Sequence, residues 1–109
     1  MKTTVIIYED NGDFREALVQ LINTSENFTC IGAFYNCNNV AADIKLLKPQ
    51  VILMDIDMNG MNGIEAVQVI RTFDKEVKII ILTVFDDNKK RDQRYLRGCF
   101  GLPVKEILF

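Results

Sequence analysis

The sequence contains no histidine. That removes the side chain most often used for acid–base work near neutral pH and for binding transition metals. Cysteine is scarce. Cys30, Cys37 and Cys99 are odd in number and show no metal-ligand spacing, so free thiols in a reducing compartment are expected. No apolar run approaches the ~18 residues needed to cross a bilayer. The first residues, MKTTV, enter a strand at once and lack a signal-peptide layout. An excess of positive charge is missing too. The formal net charge of −2 provides no global field for nucleic acid. Internal repeats, low-complexity segments and linkers are also absent. A single cytoplasmic domain without direct nucleic-acid or membrane contact is the expectation.

What is present suits a small core. The 109 residues are 49% hydrophobic and 26% charged, a globular balance. Residues 4–8 form an apolar run ending in Glu9-Asp10. Asn11-Gly12-Asp13 then supplies turn and cap residues, and Phe14, Ala17, Leu18, Leu21 and Ile22 recur at helical spacing over 13–23. A second strand is expected at Phe28–Phe34, with Gly32 inside it. Asn38 or Asn39 caps a second helix, with Val40, Ala41, Ile44 and Leu47 inward, and Pro49 stops it. The run Val51–Asp55 reads as a strand buried on both faces. Asn62 caps a third helix with Ile64, Val67, Val69 and Ile70 as its apolar positions. Residues 77–83 and 100–104 complete five strands. Strands alternating with helices predict an α/β fold, a doubly wound parallel sheet.

In such sheets chemistry collects at the carboxyl ends of the strands. Those ends carry Glu9 and Asp10, Asp55, Thr83 and, after the fifth strand, Lys105. Three carboxylates on one edge repel one another unless a cation sits among them, and Mg²⁺ suits carboxylate, carbonyl and water ligands. A hydroxyl and an ammonium opposite would complete a pocket for a phosphoryl group.

These residues, in this order, resemble the receiver domain of bacterial two-component response regulators. Tyr8-Glu9-Asp10 is similar to the family's acidic pair. The stretch from Val51 to Met58, VILMDIDM, is similar to its phosphoacceptor motif. Ile81-Leu82-Thr83-Val84-Phe85-Asp86-Asp87 is similar to its hydroxyl motif as found in the LuxR/NarL-type subfamily. The resemblance implies the flavodoxin-like strand order 2-1-3-4-5 and a transcriptional output. It also implies that Asp55 accepts a phosphoryl group from a sensor histidine kinase. Mg²⁺ would be held by Asp10, Asp55 and the Asp57 carbonyl, with Glu9 acting through water. Thr83 would hydrogen-bond the phosphate and Lys105 would pair with it. The chain would then be a signalling domain and not a turnover enzyme. Two departures stand out: Glu9 replaces the commoner Asp, and Asn59 stands where Pro is usual.

Asp55-Ile56-Asp57 after an apolar strand also resembles the haloacid dehalogenase phosphatases, in which Asp55 would be nucleophile and Asp57 general acid. That reading ranks second, because those enzymes carry the motif near the start of a longer chain. A receiver-like module that is never phosphorylated ranks third. Met54, Met58 and Met61 are expected to pack, and the cysteines to be inert.

The match is closest over residues 4–90, and 91–109 form an aberrant tail. Five of the nine residues 89–97 are basic, and the only apolar pair, Tyr95 and Leu96, is adjacent, so no apolar stripe forms. Pro103 argues against an inner strand. Leu102 stands where the family's aromatic switch residue usually lies. A domain truncated before its last helix would leave one sheet face partly uncovered, and low stability or homodimer formation through that face is expected. Back-translated with freely chosen codons and read from one base away, residues 89–106 can yield KKEIKDICAAVSGYLLK followed by a further K. That string restores helical spacing and resembles the family's fifth strand, so the hypothesis is that the tail is read in a shifted frame. The gene's nucleotide sequence is the check: a shifted frame encoding this continuation is expected, and its absence would leave a divergent tail instead.

Overall fold

A computed structural model of the protein describes residues 2–56, 58, 60–84, 96–97 and 103–108, with side chains up to residue 82. In chain order the elements are β1 (Thr3–Tyr8), α1 (Gly12–Thr24), β2 (Phe28–Phe34), α2 (Val40–Leu47), β3 (Val51–Asp55), α3 (Gly63–Arg71), β4 (Lys78–Val84), β5 (Leu96–Arg97) and β6 (Pro103–Leu108). The first four strands are parallel and lie side by side as β2-β1-β3-β4, the flavodoxin-like order. Strand order reverses at β1, which pairs with β2 on one side and β3 on the other.

The helices begin where short polar residues can satisfy their first amide groups. Asn11 Oδ1 accepts from the Phe14 amide at 2.9 Å to start α1. Asn62 and Glu65 form a reciprocal capping box at the start of α3, with both bonds at 2.9–3.0 Å. For α2 the N-cap is Asn39 and not Asn38, and its side chain makes no capping bond. That helix ends at Lys48 in the left-handed region, one residue before Pro49.

The sheet's two faces are covered unequally. On the α2/α3 side, Ile6, Tyr8, Ile52, Met54, Ile79 and Ile81 are fully buried and form the main core with Val40, Ile44, Val67 and Ile70. On the other side α1 is the one helix among the described residues, and it contributes no fully buried residue. Val51, Leu53, Ile80 and Leu82 there are only half-buried. Met54 and Met58 pack as expected, and the described thiols, Cys30 and Cys37, are free.

Tyr8 ties three elements together. Its ring stacks on Phe34 of β2 with centroids 5.2 Å apart, and its hydroxyl donates to Asp43 Oδ2 of α2 at 3.0 Å. Burial and the neighbouring carboxylate both raise the phenol's pKa, so it stays a neutral donor. The register of β1 against β2 slips between Val5 and Ile6, opposite Cys30 and Gly32. A glycine inside a strand commonly marks such an irregularity. A β-carbon at Gly32 would stand 3.1 Å from Leu47 of α2.

Three expectations need correction. The strand beside β4 is β6, residues 103–108, and it runs antiparallel, whereas a parallel strand at 100–104 was expected. Starting at residue 103 places Pro103 at the first strand position, where its missing N–H is tolerated. Lys105 consequently lies within a strand and does not follow one. The basic stretch 89–97 falls outside the described residues except for Leu96–Arg97, which form a short strand paired with β6. On α3, Ile64 is exposed, and the inner row is Gly63, Ala66, Val67 and Ile70. Those four follow the i, i+3, i+4, i+7 spacing of one helix face, from which Ile64 is displaced by one residue.

Candidate functional site

The β1–β3 pairing builds the site. Its last matched pair is Tyr8 with Met54, so the next residue on each strand is acidic: Glu9 and Asp55. Carboxylate oxygens of Glu9, Asp10 and Asp55 all lie within 4.8 Å of one another. Glu9 is 4% exposed and Asp55 9%, while Asp10 is open to solvent. Two ionised carboxylates at that separation repel by about 3 kcal/mol at an effective dielectric near 20. Such repulsion exceeds the worth of an ordinary hydrogen bond, and uptake of a proton or a cation would relieve it.

Glu9 shows the proton solution. Burial pushes its carboxyl from the ordinary 4.5 up to about 8, against the opposing effect of the Asn11 amide and with further upward pressure from Asp55 and Asp10. The surrounding bonds hold it in place. Its amide donates to Phe34 O at 2.9 Å, its Oε2 accepts from the Asn11 amide at 3.1 Å, and its carbonyl accepts from Arg15 Nη1 at 2.8 Å. Three converging oxygen donors of this kind fit Mg²⁺, which prefers hard oxygen ligands.

The loop after Asp55 is drawn in tightly. The amides of Met58 and Gly63 both donate to the Ile56 carbonyl, at 3.2 and 3.0 Å. A β-carbon at Gly63 would stand 2.6 Å from the Asp55 carbonyl oxygen and 2.9 Å from Ile56 Cα, so only glycine allows α3 to start this close to β3.

The remaining expected site residues are placed less fully. Thr83 follows Leu82, the β4 partner of Asp55, and lies opposite Lys105 in the β4–β6 register. The side chains of Thr83 and Lys105 lie outside the described residues, as do Asp57 and Asn59. Two residues that sequence reasoning passed over matter here. Gly63 gave no signal beyond a glycine near the Asn62 cap. Arg15 gave none beyond a cation in the first turn of a helix.

A family model described as the response regulator receiver domain matches residues 5–107. The chain belongs to that family. Among curated relatives, the transcriptional regulatory protein YdfI of Bacillus subtilis is 36% identical over 102 residues, covering 94% of this chain and 47% of that protein. YxjL of the same organism, also described as a transcriptional regulatory protein, is 33% identical over 107 residues, covering 98% and 49%. The chain therefore spans about half the length of these regulators. Among solved structures, a LuxR-family DNA-binding response regulator from Staphylococcus aureus superposes with a TM-score of 0.70 at 36% identity, covering 77% of this chain and 70% of that one. The receiver domain of a NarL regulator from Mycobacterium tuberculosis gives 0.72 at 25% identity, covering 78% and 68%. No helix among the described residues of this receiver is long and apolar enough to cross a membrane.

The raised Glu9 pKa fixes a sign for pH dependence. The folded state holds a proton that the unfolded chain releases above its ordinary value. The resulting stabilisation is complete below about 4.5 and is lost as pH rises through about 8. The melting temperature of the protein in chelator is expected to fall across that window, and Glu9→Gln to flatten the fall. A wild-type midpoint that is level or rising there would contradict this environment for Glu9.

Proposed function

We propose that this receiver takes a phosphoryl group onto Asp55 from a phosphohistidine of a sensor kinase in the cytoplasm, and that the modification controls a transcriptional output carried outside the matched domain. The observation that supports this most is the convergence of Glu9, Asp10 and Asp55 at the strand-order reversal, on elements laid out in the order of the receiver family. A carboxylate oxygen of Asp55 forms the new bond to phosphorus. The bond from phosphorus to the histidine nitrogen breaks, and its electron pair stays on the imidazole.

Asp10 and Asp55 would hold Mg²⁺ with the Asp57 carbonyl, and Glu9 would reach it through water. When bound, the ion offsets charge that develops on the phosphoryl oxygens. Asp55 needs a free oxygen lone pair aimed at the incoming group, and its position at the end of a paired strand limits how it can turn. In the same reading Thr83 would donate a hydrogen bond to the phosphoryl group and Lys105 would pair with it. Glu9 has a longer arm than Asp at the same place and is more buried than Asp10, which suits an indirect contact with the ion.

Incubation with acetyl phosphate and Mg²⁺, followed by intact-mass measurement, tests the proposal. A gain of one phosphoryl group that requires Mg²⁺ and disappears in Asp55→Asn is expected. A folded protein that gains nothing would instead be a receiver-like interaction module. A gain that persists in Asp55→Asn would place the chemistry on another residue.

A further inference from the structure

Arg15 occupies a position that helix electrostatics disfavours. It is the fourth residue of α1, close to the positive end of the helix dipole, where acidic side chains are preferred. Its guanidinium does not extend into solvent. Nη1 donates to the Glu9 carbonyl oxygen at 2.8 Å, and Nη2 lies 3.6 Å from where a β-carbon on Gly12 would stand. The side chain is thus folded back over the start of its own helix and rests half-buried against the loop that carries the acids.

The bonded carbonyl belongs to the peptide joining Glu9 to Asp10. Before that peptide, the Glu9 amide is held by Phe34 O. After it, the Asn11 amide is held by the Glu9 carboxylate. The Arg15 bond fixes the remaining freedom, the rotation of the peptide plane between them. That rotation decides where the Asp10 side chain starts. A bond to the backbone also leaves the lone pairs of both carboxylates unused by it. The planar guanidinium can hold a charge-assisted bond in a fixed direction better than a flexible ammonium can.

We propose that Arg15 is a positioning residue for the cation site, clamping the Glu9–Asp10 peptide so that both carboxylates stay converged on Asp55. The role rests on the assignment of that acidic cluster to Mg²⁺. Groups that orient metal ligands without touching the metal typically change affinity by about 10- to 100-fold when removed. A backbone clamp on an open site belongs at the lower end of that range.

The test is an amide-resolved NMR titration with MgCl₂ on wild type, Arg15→Ala, Arg15→Gln and Arg15→Lys, following residues 10 and 55 and using the β1–β3 amides as the check of fold. Arg15→Ala and Arg15→Gln are expected to bind Mg²⁺ about tenfold more weakly, and Arg15→Lys to recover part of the loss. A purely structural role would give no graded rescue of affinity at constant fold. Should Arg15→Ala not fold, Arg15→Gln decides, since it keeps a long side chain compatible with the helix. A wild type that responds beside a folded variant binding within twofold of it would overturn the role alone. A wild type with no Mg²⁺ response at residues 10 and 55 would overturn the cation assignment and the role with it.

Discussion

Side-by-side pairing of two strands that are not consecutive in the chain sets the problem the rest of the structure answers. β1 and β3 run parallel in a register that ends at Tyr8 and Met54, so the next step on each strand brings Glu9 against Asp55. The apolar runs before them dictate this outcome. Ile6, Tyr8, Ile52 and Met54 all face one core, and slipping the register by one residue would turn that set towards the opposite face. Hydrophobic packing therefore drives two acids together with Asp10 beside them, against a repulsion of about 3 kcal/mol per ionised pair.

The surroundings are arranged to keep that cluster in place. Gly63 lets α3 begin against the Asp55 carbonyl, and the Asn62–Glu65 capping box holds the helix start there. The Tyr8 ring on Phe34 and its hydroxyl on Asp43 anchor the end of β1 to β2 and α2. Both contacts stop short of the acids themselves. What remains adjustable is charge: with no cation bound, Glu9 holds a proton well above the ordinary range of a carboxyl group. That proton is held chiefly because the Glu9 carboxyl is buried, with repulsion from Asp55 and Asp10 adding to it.

Much of this was legible in the sequence where local rules coincide with tertiary ones. The runs ending at Tyr8 and Asp55 gave their strands, and Asn11 and Asn62 marked helix starts through their capping side chains. The acids could be assigned to one sheet edge because right-handed crossovers leave every parallel strand end on the same side. Other features depend on distances that no periodicity encodes. Gly63 matters because of one carbonyl oxygen on β3, and Arg15 because of one carbonyl oxygen on the preceding loop. Counting apolar residues also misplaced Ile64, since small residues, Gly63 and Ala66, take the inner row where α3 comes close to the sheet. Beside β4, the alternation of strands with helices pointed to a parallel strand at 100–104, whereas residues 103–108 pair antiparallel, with Pro103 at the end where a missing N–H does least harm.

The proposed phosphoryl site depends first on a divalent cation held among the three converged carboxylates. Calorimetric titration of Mg²⁺ at pH 7 in two buffers of different ionisation enthalpy counts the protons released on binding. Burial raises the Glu9 carboxyl well above the ordinary carboxylate range, so net proton release on Mg²⁺ binding is predicted. Binding with no proton release, or no binding at millimolar Mg²⁺, would contradict the account.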